Sequence, residues 1–158
     1  MTIDYYMEVI EKKTAVLFSG ILHCLGIYSK QNQEKINYLR DLGLSFGKAF
    51  QLNDDLADFN DSSLTGKAKF KDLDEGKLTF PILIVLNEMS EQEQAEFKDQ
   101  INSKDFITIK EQINVRGGFK KTRDERDNAI DNCIEYTSKF IKLDKLDNMK
   151  KFLRKAGY

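Results

Sequence analysis

The sequence of 158 residues has few cysteines, histidines and long apolar runs, and each shortage excludes a class of protein. Its two cysteines, Cys24 and Cys133, are far apart and accompanied by a single histidine, which excludes a disulfide framework and a Cys/His zinc site. A reducing, cytoplasmic location is therefore expected. No apolar run approaches the roughly 20 residues that a transmembrane helix needs, and the first residues lack the layout of a signal peptide.

Neither sign of charge is in excess. The chain has 25 lysines and arginines against 26 aspartates and glutamates, for a net charge of −1. This balance argues against nucleic acid or an anionic membrane surface as a partner, so any anion-binding site must be local.

Proline occurs once and glycine nine times, which leaves few positions that would interrupt helices or form hairpins. With 41% hydrophobic and 32% charged residues, the composition is typical of a globular protein. We therefore predict one all-α domain over residues 1–158, built as a helical bundle.

Helical spacing of apolar residues predicts a long helix from Asp4 to Tyr28 and a second from Asn32 to Phe59. Residues 60–78 have no apolar period and are predicted to form a long loop, a kind of segment that is often functional. Thr79 is expected to cap the next helix, and Ser90–Glu93 has the pattern of a capping box. The later helices are predicted at 79–87, 90–102, 105–117 and 120–143, with a short amphipathic tail at 146–155.

Four polar residues share one face at the end of the second predicted helix: Gln51, Asp54, Asp55 and Asp58. Aspartates this close repel one another unless water or a cation separates their charges, and carboxylate oxygens at this spacing suit Mg²⁺. A solvated helix face is the simpler alternative. The lysines of the following loop favour a metal-bridged diphosphate, although lysines in a loop are also common as solvated side chains.

Lys13 lies on the first predicted helix among apolar neighbours, and Thr14 follows it directly. Burying this ammonium group without an anion would be costly, which indicates a possible anion ligand. The alternative is that the side chain extends along its own methylene groups into solvent.

Three ordered motifs resemble the C-terminal half of the trans-isoprenyl diphosphate synthases, the polyprenyl synthetase family. The motifs are Lys13-Thr14-Ala15, the Phe50–Asp58 segment with its three aspartates, and the stretch from Gly66-Lys67 through Lys71-Asp72-Leu73 to Gly76–Pro81. The resemblance implies a partial isoprenoid-synthase fold. It also implies a Mg²⁺-dependent prenyltransferase that condenses an allylic diphosphate with isopentenyl diphosphate.

The resemblance carries roles to individual residues. Asp54 is similar to the family's metal-holding aspartate, and Asp55 and Asp58 complete that motif. The resemblance implies diphosphate-binding roles for Lys13, Lys67 and Lys77, with Asp72 supporting the lysines and the metal-bound waters. The oxygens of Thr14 and Gln51 resemble those that face the allylic cation, so Lys13, Thr14 and Gln51 are the candidate catalytic residues.

Two features depart from the family pattern. A first aspartate-rich motif is not found, since Asp124, Glu125 and Asp127 alternate with arginines and are better explained as surface charges. Phe70 also occupies a position where the family usually has glycine, which puts the path of the loop in question.

Three interpretations follow from the missing motif. The chain is either part of a longer synthase and inactive by itself, or one subunit of a two-chain synthase, or a helical binding module without turnover. The first two predict a wide apolar surface along the first two helices, covered by a missing N-terminal half, a partner subunit or another copy in a homo-oligomer.

Overall fold

A computed structural model describes residues 1–60, 70–139 and 148, and every regular element in those ranges is a helix. The prediction of an all-α fold is confirmed. The elements in chain order are α1 (Ile3–Ile10), a π-helical segment (Glu11–Ala15), α2 (Val16–Tyr28), α3 (Gln33–Ala57), α4 (Lys71–Asp74), α5 (Phe80–Leu86), α6 (Glu91–Asn102), α7 (Phe106–Val115) and α8 (Gly118–Ser138).

The chain divides into two compact units. We call Met1–Tyr6 with Asp54–Asp124 the aspartate unit, and Met7–Asn53 with Glu125–Tyr158 the glycine unit. Nothing in this division tests whether residues 1–158 fold as one domain, so that remains a prediction.

A buried apolar cluster forms the centre of the aspartate unit. It draws on the end of α3 and on every helix from α4 to α8, and its largest fully buried members are Phe59, Leu73, Ile82, Phe97, Ile109 and Ile113. The helix ends around this cluster follow the local sequence. The capping box of α6 is present, with Ser90 N donating to Glu93 Oε2 at 2.8 Å, and Gly117 ends the α7 region with a φ of +75°.

Two close approaches between helices organise the glycine unit. A Cβ atom added at Gly43 would lie 2.5 Å from Ser19 Cα, and one added at Gly47 would collide with the backbone of Ala15. Only residues without a side chain fit there, so the GxxxG spacing on α3 brings the backbone of α2 and the π-helical segment into contact with α3. A smaller cluster of Ala49, Ala129, Ile130 and Cys133 packs α8 on α3.

Three predicted elements differ from the structure. The helix predicted from Asp4 to Tyr28 is interrupted by the π-helical segment, which no apolar pattern signals. The predicted loop contains α4, a single turn. Thr79 stands at the N-cap position of α5 without capping it: its hydroxyl is buried and, among the described residues, has no hydrogen-bond partner.

Parts of other predictions fall outside the described residues. The last helix was expected to run from Lys120 to Leu143, and the structure describes α8 as far as Ser138. Apart from Asn148, the tail predicted at 146–155 lies outside the described ranges, as do residues 61–69 of the loop.

Candidate functional site

The end of α3 carries the three predicted metal ligands in unequal environments. Asp54 is half-buried, whereas Asp55 and Asp58 are 2% and 7% exposed. The burial of Asp55 and Asp58 rules out a solvated helix face for these two residues. A buried carboxylate is costly unless it is hydrogen-bonded, so its partners reveal what holds it in place.

Asp55 is held by two donors from distant parts of the aspartate unit. Its Oδ2 atom accepts a hydrogen bond from the hydroxyl of Tyr6 and another from the backbone N–H of Phe80, the latter at 2.8 Å. The Phe80 N–H belongs to the first turn of α5, where helices leave N–H groups without partners. Asp55 therefore does the capping that the sequence assigned to Thr79.

Tyr6 is the member of this group that the sequence analysis missed. It is 6% exposed, and its ring lies 5.6 Å from that of Phe80. Burial, followed by the nearby charge of Asp55, raises the pKa of the Tyr6 hydroxyl well above its ordinary value, so the hydroxyl stays protonated at neutral pH and acts as a hydrogen-bond donor. A tyrosine at an apolar position of an amphipathic helix looks like any core residue, so no local signal distinguishes it.

Asp58 caps the next turn of the chain. Its Oδ1 atom accepts from the backbone N–H of Asp72 at 3.1 Å, and its own carbonyl accepts from the N–H of Phe70 at 2.8 Å. Burial raises the pKa of the Asp58 carboxyl, and the hydrogen bond from Asp72 opposes that shift. Its other oxygen, Oδ2, is buried and has no hydrogen-bond partner among the described residues.

Phe70 allows the chain to enter α4 despite the missing glycine. Its φ of +57° is in the left-handed region, which costs a residue with a Cβ on the order of 1 kcal/mol. Its ring packs against Phe59 and Phe106, with centroids 6.0 and 5.3 Å away. The phenylalanine therefore offsets backbone strain with aromatic packing.

Lys77 and Asp72 form an ion pair at the outer side of α4. The Lys77 ammonium lies 2.7 Å from Asp72 Oδ1 and 2.7 Å from Glu75 Oε2. These carboxylates raise the pKa of Lys77 above its ordinary range, so it stays protonated at any physiological pH. Because its side chain is 54% exposed, this ammonium can reach a ligand in solvent.

Thr14 and Gln51 meet in the glycine unit, where the Thr14 hydroxyl donates to Gln51 Oε1 at 2.9 Å. Thr14 lies in the π-helical segment, a conformation that is frequent at functional sites. Gly43 and Gly47 precede Gln51 on α3 at intervals of four residues, so the close approach at the glycines continues into this hydrogen bond.

Lys13 occupies the same π-helical segment and is exposed. Its exposure agrees with the alternative that the side chain extends into solvent, and also leaves the ammonium accessible to a ligand. Lys67 lies outside the described residues, so its predicted role stays a prediction. Within the part of the chain that the structure describes, no three His, Cys, Asp or Glu side chains are placed to hold a metal ion by themselves.

Comparison with known proteins supplies the observation that decides the family. A sequence model of the polyprenyl synthetase family matches residues 1–115. The chain belongs to the polyprenyl synthetase family. The resemblance drawn from the three motifs is thus confirmed, and so is the partial isoprenoid-synthase fold.

Individual relatives extend this result. The chain is 34% identical over 139 residues to the octaprenyl diphosphate synthase of Escherichia coli (strain K12), an alignment that covers 85% of this chain and 43% of that protein. It is 36% identical over 95 residues to a geranylgeranyl diphosphate synthase of Saccharolobus solfataricus, covering 60% and 29% of the two chains. This chain therefore spans less than half the length of these relatives.

A solved structure is likewise matched by this chain over only half of its own length. The polyprenyl synthase of Caulobacter crescentus CB15, complexed with calcium and isoprenyl diphosphate, matches with a TM-score of 0.87 and 29% identity. The match covers 99% of this chain and 50% of the other. In the described ranges, no helix combines the length and the apolar character needed to cross a membrane.

Proposed function

We propose that this chain supplies the second aspartate-rich diphosphate site of a Mg²⁺-dependent prenyltransferase, which joins an allylic diphosphate to isopentenyl diphosphate in isoprenoid biosynthesis. The observation that carries the proposal is the aspartate motif at the end of α3, whose Asp55 and Asp58 are held by hydrogen bonds. The membership of the chain in the polyprenyl synthetase family supports the same function. The Caulobacter crescentus relative, which was solved with calcium and isoprenyl diphosphate, supports a divalent cation and a prenyl diphosphate as ligands.

The donor set of this motif fits Mg²⁺. Magnesium prefers oxygen ligands and takes one or two carboxylates together with waters and substrate phosphates, so it does not need three protein ligands. Asp58 Oδ2 is a buried carboxylate oxygen without a described partner, and Asp54, which lies four residues earlier, is half-buried. We assign Asp54 and Asp58 to the cation, and Asp55 to the support of the motif because its Oδ2 already accepts two hydrogen bonds.

When bound, the metal supplies positive charge that stabilises the departing diphosphate. The lysines add to this stabilisation by binding the phosphate oxygens. Lys77 uses two carboxylate contacts that hold its ammonium in one place, and an ammonium group has three donors, so one remains for a phosphate oxygen. Lys13 and Lys67 are proposed to bind the same class of group.

The pair of Thr14 and Gln51 is suited to a cationic substrate. Because the Thr14 hydroxyl donates its hydrogen to Gln51, the lone pairs of Oγ1 are directed away from that bond. Oriented oxygen dipoles stabilise a developing positive charge without having to reorganise, which is the contribution expected of these residues towards an allylic cation.

Exposed apolar side chains on α2 of the glycine unit support the proposal that the complete catalytic site needs residues from outside this chain. Six large apolar side chains of α2 are more than half exposed: Val16, Leu17, Ile21, Leu25, Ile27 and Tyr28. Such a surface is expected of a chain that acts together with a second half of the site. We therefore propose that this chain is inactive alone and that the remaining residues come from a longer chain or a partner subunit.

Calorimetric titration of the chain with inorganic pyrophosphate tests this function. We expect binding in the presence of Mg²⁺, none after chelation of the metal, and a large loss of affinity in Asp54→Asn. Equal binding with and without metal, or an unchanged affinity in Asp54→Asn, would contradict the assigned site. Turnover of both diphosphates by the chain alone would contradict the claim that the site is incomplete.

A further inference from the structure

Tyr6 has no role in the chemistry proposed so far, yet its side chain is hydrogen-bonded to the aspartate motif. It is 49 residues before Asp55 in sequence, and its hydroxyl donates to the Asp55 carboxylate at a buried position. Neither group is needed for apolar packing, since a phenylalanine and a leucine would fill the same space without polar atoms. A buried, charge-assisted hydrogen bond of this kind fixes the orientation of the group that accepts it.

The contact also includes the start of α5. Asp55 Oδ2 accepts from Phe80 N at 2.8 Å, and the rings of Tyr6 and Phe80 lie 5.6 Å apart. The tyrosine thus contacts both the carboxylate and the residue that supplies its second donor. The Asp55 carboxylate thus connects three segments of the aspartate unit, which belong to α1, α3 and α5.

Asp55, where these segments meet, directly follows Asp54 in sequence. Helix ends fray because their last carbonyl groups have no partner within the helix, and α3 ends at Ala57. A side chain anchored at Asp55 restricts the backbone of the turn that also carries Asp54. The affinity of a carboxylate for a metal depends on such supporting contacts, whose removal typically weakens binding by about 10- to 100-fold.

We infer that Tyr6 is a positioning residue of the aspartate motif: its hydroxyl holds Asp55 and thereby the last turn of α3, on which Asp54 is placed for the cation. The inference rests on the proposed function. It assigns Tyr6 no contact with substrate or metal.

The test compares two variants that each remove one phenolic oxygen from α1. Tyr6→Phe removes the buried hydroxyl, and Tyr5→Phe is the matched control because Tyr5 is 58% exposed. Each chain is titrated with inorganic pyrophosphate in excess Mg²⁺ and melted without ligand. We expect the dissociation constant to rise on the order of tenfold in Tyr6→Phe and to be unchanged in Tyr5→Phe.

A double-mutant cycle with Asp55→Ala, which removes the acceptor, separates positioning from general stability. If the hydroxyl acts through Asp55, Tyr6→Phe has less than about a twofold further effect on affinity in the Asp55→Ala background. Full additivity would overturn the inference. So would a Tyr6→Phe chain that melts earlier but binds with unchanged affinity, because the hydroxyl would then serve the fold alone.

The result for the wild-type chain distinguishes the two claims. If the wild type binds pyrophosphate with Mg²⁺ and Tyr6→Phe binds equally well, the positioning role is wrong and the proposed function stands. If the wild type shows no metal-dependent binding, the proposed function fails, and the role of Tyr6 fails with it.

Discussion

The two units position their polar residues by different physical means. In the aspartate unit, buried carboxylates accept hydrogen bonds from the backbone and from Tyr6, so long-range polar contacts fix Asp55 and Asp58. In the glycine unit, the absence of side chains at Gly43 and Gly47 lets two backbones touch, and the Thr14–Gln51 hydrogen bond follows from that approach. Charged groups thus depend on specific partners, whereas the neutral pair depends on steric fit.

The largest effect is expected when the acceptor in the aspartate unit is removed. Asp55→Ala leaves the Tyr6 hydroxyl and the Phe80 N–H buried without their partner, which costs about 3 kcal/mol of unfolding free energy. Chemical denaturation measures the loss. Asp55→Asn keeps an acceptor oxygen and should lose markedly less, and equal losses in the two variants would show that the hydrogen bonds are not what matters.

In the glycine unit, a methyl group added at Gly43 should lower the free energy of unfolding by a somewhat smaller amount. The Cβ of Gly43→Ala would meet backbone atoms of Ser19 at 2.5 Å, so the helices must separate at a cost of about 2 kcal/mol. Gly20→Ala is the matched control, because a Cβ there has no atom within 4 Å. It should stabilise α2 by up to about 1 kcal/mol. Thermal melts that shift in the same direction for both variants would refute the steric explanation.

Phe70→Gly tests how the aspartate unit tolerates a departure from the family pattern. Glycine relieves the left-handed strain but removes the ring contacts with Phe59 and Phe106. The aromatic loss should exceed the relief, for a net destabilisation of about 1 kcal/mol. A variant that is more stable than the wild type in urea titration would show that strain dominates.

The smallest effect is expected on the stability of the fold at acidic pH, through the carboxyl group of Glu93. Hydrogen bonds from Ser90, together with Arg116, lower the pKa of Glu93 to about 2. A lowered pKa in the folded state means that this contribution is present above the unfolded value of 4.5 and is lost as the pH falls towards 2. Glu93→Gln should therefore have a shallower loss of stability over this pH range than the wild type, measured by thermal melts. Parallel curves would contradict this role.

Sequence patterns predicted the parts of the structure that depend on neighbours along the chain. Helix ranges, the capping box at Ser90–Glu93 and the helix end at Gly117 all follow from residues within a few positions of one another. The family was also predictable, because its motifs are short and ordered.

The contacts of the candidate site were less predictable because they join residues far apart in sequence. No local pattern shows that Asp55, rather than Thr79, would cap α5, or that Tyr6 would donate to it. The π-helical segment carrying Lys13 and Thr14 lies close to Gly47 at Ala15, and a helical period indicates neither the segment nor the contact. The metal and diphosphate roles of these residues remain predictions.

The position of the cation is the most direct test of the account. Mn²⁺ can replace Mg²⁺, and it broadens the nuclear magnetic resonance signals of nearby backbone amides. With Mn²⁺ and inorganic pyrophosphate, we predict broadening that is strongest at Asp54 and Asp58, and no broadening in Asp54→Asn. Broadening centred on other residues, or identical broadening in Asp54→Asn, would contradict the claim that this motif holds the metal.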